Sequence, residues 1–156
     1  PFIRPLKSSS YSTAFDPKGN LWVGSVGRGW TGGDPAIEII RFDPKKVPFE
    51  MHRFNLTKDG FDIHFTQTLA APVAAKDIIV TEFRFEYWSQ YGSEPMGVKS
   101  IPVTKAQLSD DKAALALEFL RKEGFLYTIQ LPEVTSTSGL TLENNYGIYT
   151  LNKLQP

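Results

Sequence analysis

The chain has 156 residues, enough for one ordinary domain or a domain with a small appendage. Lysine plus arginine and aspartate plus glutamate number 17 each, so the formal net charge is zero and no basic footprint for nucleic acid exists. There is no cysteine, which excludes disulfide scaffolds, thiolate zinc sites, cysteine nucleophiles and thiol-ligated iron–sulfur clusters. No run of about 18 apolar residues occurs, so no membrane insertion is expected. A neutral chain has little colloidal protection from charge, which suits a module attached to something larger. It starts at Pro1 rather than methionine and reads as a mature or excised piece.

Residues 1–10, rich in proline and serine, read as an arm. Tyr11–Phe15 is a short strand, and Asp16-Pro-Lys-Gly19-Asn20 is a turn in which proline fixes φ and glycine accepts a positive φ. Leu21–Val26 is a second strand, residues 27–35 a glycine-rich loop, and Ala36–Phe42 a third strand. The unit F-D-P-x-G-N-L-W-V-G, then a loop and I-I-R-F-D-P, resembles a segment of a β-propeller blade. Only one copy is present, whereas a propeller has typically about 4–8 blades, and one unit cannot bury both of its faces.

The prolines of residues 43–48 mark a junction, dividing the chain into 1–46 and 47–156. Alternation at 51–56 and 61–66 around Asp59-Gly60 predicts a hairpin with a two-residue Asp59-Gly60 loop, placing Leu56 opposite Ile63 and Phe54 opposite Phe65. Leu69–Lys76 is a small-residue link with a short helical turn. Asp77–Trp88 is a long strand whose Phe83, Phe85 and Tyr87 alternate with Arg84, Glu86 and Trp88, the first two assigned to the core. It runs into a turn at Tyr91–Pro95. Val98–Lys105 is a strand placed at an edge by Pro102. Ala113–Leu120 has helical propensity, yet Leu115, Leu117 and Phe119 alternate as in a strand. Phe125–Leu131 and Tyr146–Leu151 are further strands, with a minor one near 140–142. Short strands with turns between them and no long helix predict an all-β chain: an antiparallel β-sandwich of immunoglobulin or fibronectin-III type, preceded by a partial propeller blade.

Trp22-Val-Gly24, Gly27-Arg-Gly-Trp30, Val47-Pro-Phe-Glu50, Lys58-Asp-Gly-Phe61 with Phe65, Tyr87 with Tyr91-Gly-Ser93, and the ending Tyr146–Asn152 carry a resemblance over about residues 15–152. The chain resembles the C-terminal region of large secreted bacterial proteins related to quinoprotein sugar dehydrogenases and sorbosone dehydrogenase-like proteins. The resemblance implies a secreted or periplasmic bacterial protein in which a propeller precedes a sandwich-like module. The C-x-x-C-H haem motif is missing, as is most of the propeller that holds quinone and base in such enzymes. The resemblance therefore implies a piece of that architecture without its activity, and no cofactor is expected.

His52 and His64 are the only histidines, and the predicted register puts them on opposite hairpin faces, so they do not share a metal. No G-x-S-x-G elbow accompanies the serines. The loop at residues 27–33 lacks the G-K-[ST] ending and the following helix of a phosphate loop. Asp16, Asp34 and Asp43 each precede a proline, which is turn chemistry before it is calcium chemistry. Trp30, Tyr87, Trp88 and Tyr91 are the binding candidates. They are expected to meet a neighbouring propeller-like domain or chain, where Tyr and Trp are enriched, with a carbohydrate platform as the alternative. No catalytic or metal residue is assigned. The expected role is an accessory module, the alternatives being a carbohydrate-binding module or part of a quinone- or haem-dependent sugar oxidation system.

Overall fold

Alternating apolar strands bounded by Gly, Pro and Asp turns dominate the chain, and the computed structural model, which describes residues 6–27, 33–89 and 92–155, is accordingly all-β. Its three antiparallel sheets form no closed barrel. The chain divides into two units, Pro1–Val47 and Pro48–Pro156.

The first unit is a three-stranded sheet in the order β1 (Ser9–Phe15), β2 (Leu21–Val26), β3 (Ala36–Ile40). Ser9 and Ser10, expected in the arm, belong to the first strand. Asp16 builds the β1–β2 turn. Its carboxylate accepts from the backbone N–H of Lys18 (2.8 Å) and Asn20 (3.0 Å), from the Asn20 amide (2.9 Å) and from the Trp22 indole (3.2 Å). The Asn20 bond foremost, with the other donors, lowers its pKa to about 2. Gly19 sits at φ +80, where only glycine is unstrained. Asp43 likewise accepts from Lys45 N–H, capping a 3-10 turn at Pro44–Lys46.

The second unit holds two four-stranded sheets. One runs β4 (Met51–Leu56), β5 (Gly60–Phe65), β9 (Ala114–Glu118), β8 (Lys105–Leu108). The other runs β11 (Tyr146–Leu151), β10 (Phe125–Gln130), β6 (Ile79–Arg84), β7 (Met96–Ile101). A single core draws on both: Phe61, Ile63, Leu115 and Leu117 from the first, Val80, Tyr127, Ile129 and Leu151 from the second. The Phe61 ring meets Tyr149 at 4.8 Å, and Phe119 meets Tyr127 at 5.8 Å.

Three expectations are corrected here. The β4–β5 hairpin pairs Leu56 with Phe61 and Phe54 with Ile63, two residues from the expected register. The loop is Lys58-Asp59, closed by Thr57 N–H donating to Gly60 C=O (3.0 Å) and Gly60 N–H to Thr57 Oγ1 (3.1 Å). Gly60 belongs to the strand because a Cβ there would lie 1.6 Å from the Leu117 carbonyl oxygen of β9. A two-residue shift preserves the faces, so the apolar sides still coincide. His52 is the extra residue of a bulge, and His64 lies against the Asn55 amide at 3.1 Å.

The predicted strand at 98–105 is in fact two. β7 ends before Pro102 at the edge of one sheet, and β8 starts after it at the edge of the other, because proline cannot donate to a ladder. The strand expected near 140–142 is reduced to a Thr135–Thr141 bridge. The link at 69–76 carries only a 3-10 turn, Ala75–Asp77. Strand won over helix at 113–120, since Leu115 and Leu117 alternate into the core.

Gly60→Ala forces the β5 and β9 backbones apart and is expected to destabilise the second unit by about 1–3 kcal/mol, the usual cost of overpacking. A urea unfolding midpoint that does not move would contradict the close approach.

Candidate functional site

β6 positions the aromatic run and reverses the expected faces. Val80 and Glu82 point inward, and Glu82 is only 3% exposed. Phe83 and Phe85, expected in the core, lie on the other side, their rings edge-on at 5.4 Å and Phe85 half exposed. The expected strand to Trp88 ends at Arg84.

The cause is a buried polar pair. Tyr127 on β10 is fully buried, and its hydroxyl donates to Glu82 Oε2 at 2.6 Å while accepting from Lys122 N–H at 2.7 Å. Lys122 Nζ stands 3.5 Å from Glu82 Oε1 and 5.4 Å from the Phe125 ring centre. Burial, then the bond to Glu82, holds the phenol pKa well above its ordinary value. A second internal clamp is Arg121, whose guanidinium donates to the carbonyls of Thr57 (2.5 Å) and Lys58 in the β4–β5 loop. Its Nε is buried with no partner among the described residues. Burial foremost lowers its pKa.

Beyond β6 the loop to β7 is held by its own side chains. Arg84 pairs with Glu86 at 2.7 Å, with its guanidinium 6.0 Å from the Phe125 ring centre. Glu86 N–H donates to Ser93 Oγ at 3.2 Å, and the Trp88 indole N–H donates to Gly92 C=O at 2.6 Å. Gly92, at φ +85, supplies the turn. These bonds fix the Trp88 ring at 47% exposed and leave Tyr87 wholly exposed, beside an open concavity of about 720 Å³ lined by Phe85–Ser89 with Gly92 and Ser93. Chemically it offers three aromatic side chains, one carboxylate and hydroxyl groups.

Of the four candidate residues, the structure brings Tyr87 and Trp88 together in this loop, while Trp30 and Tyr91 lie outside the described residues. Among the described residues no cluster of three His, Cys, Asp or Glu side chains stands ready to hold a metal. No helix among them is long and apolar enough to cross a membrane. Sequence reasoning missed Glu82 as a buried polar anchor and the half-buried Arg121 as a clamp on the β4–β5 loop. The one signal for Glu82 was its place at i+2 and i+4 from Val80 and Ile78. No family model matches the chain, and no curated protein or solved structure matches it significantly.

Tyr127→Phe strips Glu82 of its neutral donor and leaves Lys122 N–H without its acceptor. The expected loss is about 2–3 kcal/mol in urea unfolding, the cost of a buried charged acceptor left short of partners. A loss below about 0.5 kcal/mol would show that the bond does not anchor β6.

Proposed function

We propose that the chain is a non-catalytic accessory module of a larger secreted or periplasmic bacterial protein: an immunoglobulin-like β-sandwich bearing a propeller-blade-like sheet that packs against a neighbouring propeller-like domain or chain. The observation that carries this is the two-faced N-terminal sheet. Pairing puts Phe15, Leu21, Val23 and Ile40 on one face and Ala14, Trp22, Ile37 and Ile39 on the other. Val23 is already buried, but Phe15 on its face is 75% and Ile37 on the other 76% exposed. A sheet apolar on both sides needs cover on both, as a blade between its neighbours has.

The sandwich assignment draws support from topology. The orders β4-β5-β9-β8 and β11-β10-β6-β7 correspond to A-B-E-D and G-F-C-C′ of that fold. Tyr127, whose hydroxyl bonds back to the backbone at Lys122, corresponds to its tyrosine corner. Descent from a quinoprotein sugar dehydrogenase-like or sorbosone dehydrogenase-like protein belongs to the same proposal and rests on the sequence resemblance.

The second reading, a carbohydrate-binding module, is favoured by one observation: the Trp88 indole is tied down while the Tyr87 ring stays open beside Glu86 and Ser93. The two readings separate in one pair of measurements. With its apolar sheet open, the free chain binds the dye ANS while retaining native circular dichroism, and Ile37→Lys cuts that fluorescence by about half. Absence of ANS binding would remove the packing role. Retention in polysaccharide gels, lost on joint Tyr87→Ala and Trp88→Ala substitution, would put the carbohydrate reading in its place.

A further inference from the structure

Sheet edges are sites of unwanted pairing, and natural edges carry charges, bulges, prolines or short strands against it. Three of the second unit's four edge strands do so. β4 has the His52 bulge and Arg53. β7 has Gly97 at φ +64, Lys99, a register break opposite Glu82–Arg84, and Pro102 just beyond it. β8 has only 4 residues and starts with Lys105. β11 has none of these. Tyr146–Leu151 pairs with β10 in unbroken register, carries no charge and no proline, and has no neighbour on its other side among the described strands.

The backbone polarity of β11 narrows what fits there. Asn145 C=O accepts from Leu131 N–H and Leu151 C=O from Gly124 N–H, each at 2.8 Å, so the odd-numbered residues bond inward. Alternation then turns the N–H and C=O groups of Tyr146, Ile148 and Thr150 to the open edge. These three positions are symmetric about Ile148. None of the residues that β6, β10 and β11 turn to the outer face of this sheet is charged, in a chain with 22% charged residues. A net charge of zero sets no repulsion between copies.

We propose that β11 pairs with β11 of a second copy of this chain, antiparallel about a two-fold axis through Ile148, joining two four-stranded sheets into one. Ile148 exchanges both backbone hydrogen bonds with its counterpart, and Tyr146 does so with Thr150 of the other copy. The inward residues leave this undisturbed: Leu151 is buried, Tyr149 packs on Phe61, and Gly147 makes room for the Phe54 ring. The interface is isologous and therefore closes at a dimer. It does not depend on the accessory role proposed above.

The absence of native cysteine makes the test direct. In a hydrogen-bonded antiparallel pair the two Cα atoms lie about 5.5 Å apart, within disulfide reach. In Ile148→Cys the two thiols are therefore expected to form an intermolecular disulfide with oxidised glutathione. In Thr150→Cys the same residues stand four positions apart along the pair, about 14 Å, and cross-linking falls by on the order of tenfold. Sedimentation of the unmodified chain at about 0.1 mM should show a concentration-dependent dimer, as suits an interface below standard size. Ile148→Lys should sediment as a monomer with an unchanged circular dichroism spectrum. A monomeric unmodified chain, equal cross-linking by the two cysteine variants, or a dimer that survives Ile148→Lys would each overturn the proposal.

Discussion

The bond between the Tyr127 hydroxyl and the Glu82 carboxylate sets the second unit's geometry. A buried phenol needs a partner, and a buried carboxylate needs more than one. Tyr127, Lys122 and Glu82 satisfy one another at the β6–β10 junction. Because strand side chains alternate with period two, an inward Glu82 obliges Phe83 to point outward. Slipping β6 by one residue would bring Phe83 inward but strand the tyrosine and expose Ile78 and Val80. The Tyr127 hydroxyl left without its acceptor costs about 1–3 kcal/mol and taking Ile78 and Val80 out of the core about 1.5–3 kcal/mol each, together more than burying one phenylalanine returns. The aromatic loop is therefore on the surface as a consequence of polar pairing in the core.

The same constraint shows what was legible in the sequence. Strands whose alternation is unambiguous, such as Phe61–Ile63–Phe65 and Leu115–Leu117–Phe119, could be placed with the right face inward. At 78–85 both faces are apolar, and choosing the more aromatic one put Phe83 and Phe85 in the core wrongly. Nothing in a single sequence tells that Glu82 will find Tyr127 forty-five residues later. The hairpin loop was misplaced for a related reason. Asp-Gly is a turn signal by local preference, but Gly60 answers to a backbone that approaches from β9. At the candidate site, the aromatic character of Tyr87 and Trp88 could be read directly. The bonds of Trp88 to Gly92 and of Glu86 to Ser93, which fix the loop, depend on its closed shape and could not.

The N-terminal sheet poses the opposite problem. Its turn is well made, with Asp16 and Asn20 bonding across β1, β2 and the start of the next segment. Its local geometry is thus specified by its own residues, while apolar side chains remain on both faces. Backbone pairing alone contributes little net stability in water, so such a sheet depends on what covers it. The two units thereby differ in kind: one closes a core around paired polar groups, the other offers surfaces.

Native-state amide hydrogen exchange of the free chain measures that difference most directly, since it reports opening free energy strand by strand. The account predicts that amides of β2 exchange at least about 100-fold faster than those of β5 and β10, equivalent to an opening free energy about 3 kcal/mol lower. Equal protection of β2 and β10 in the free chain would contradict it, because the N-terminal sheet would then need no partner.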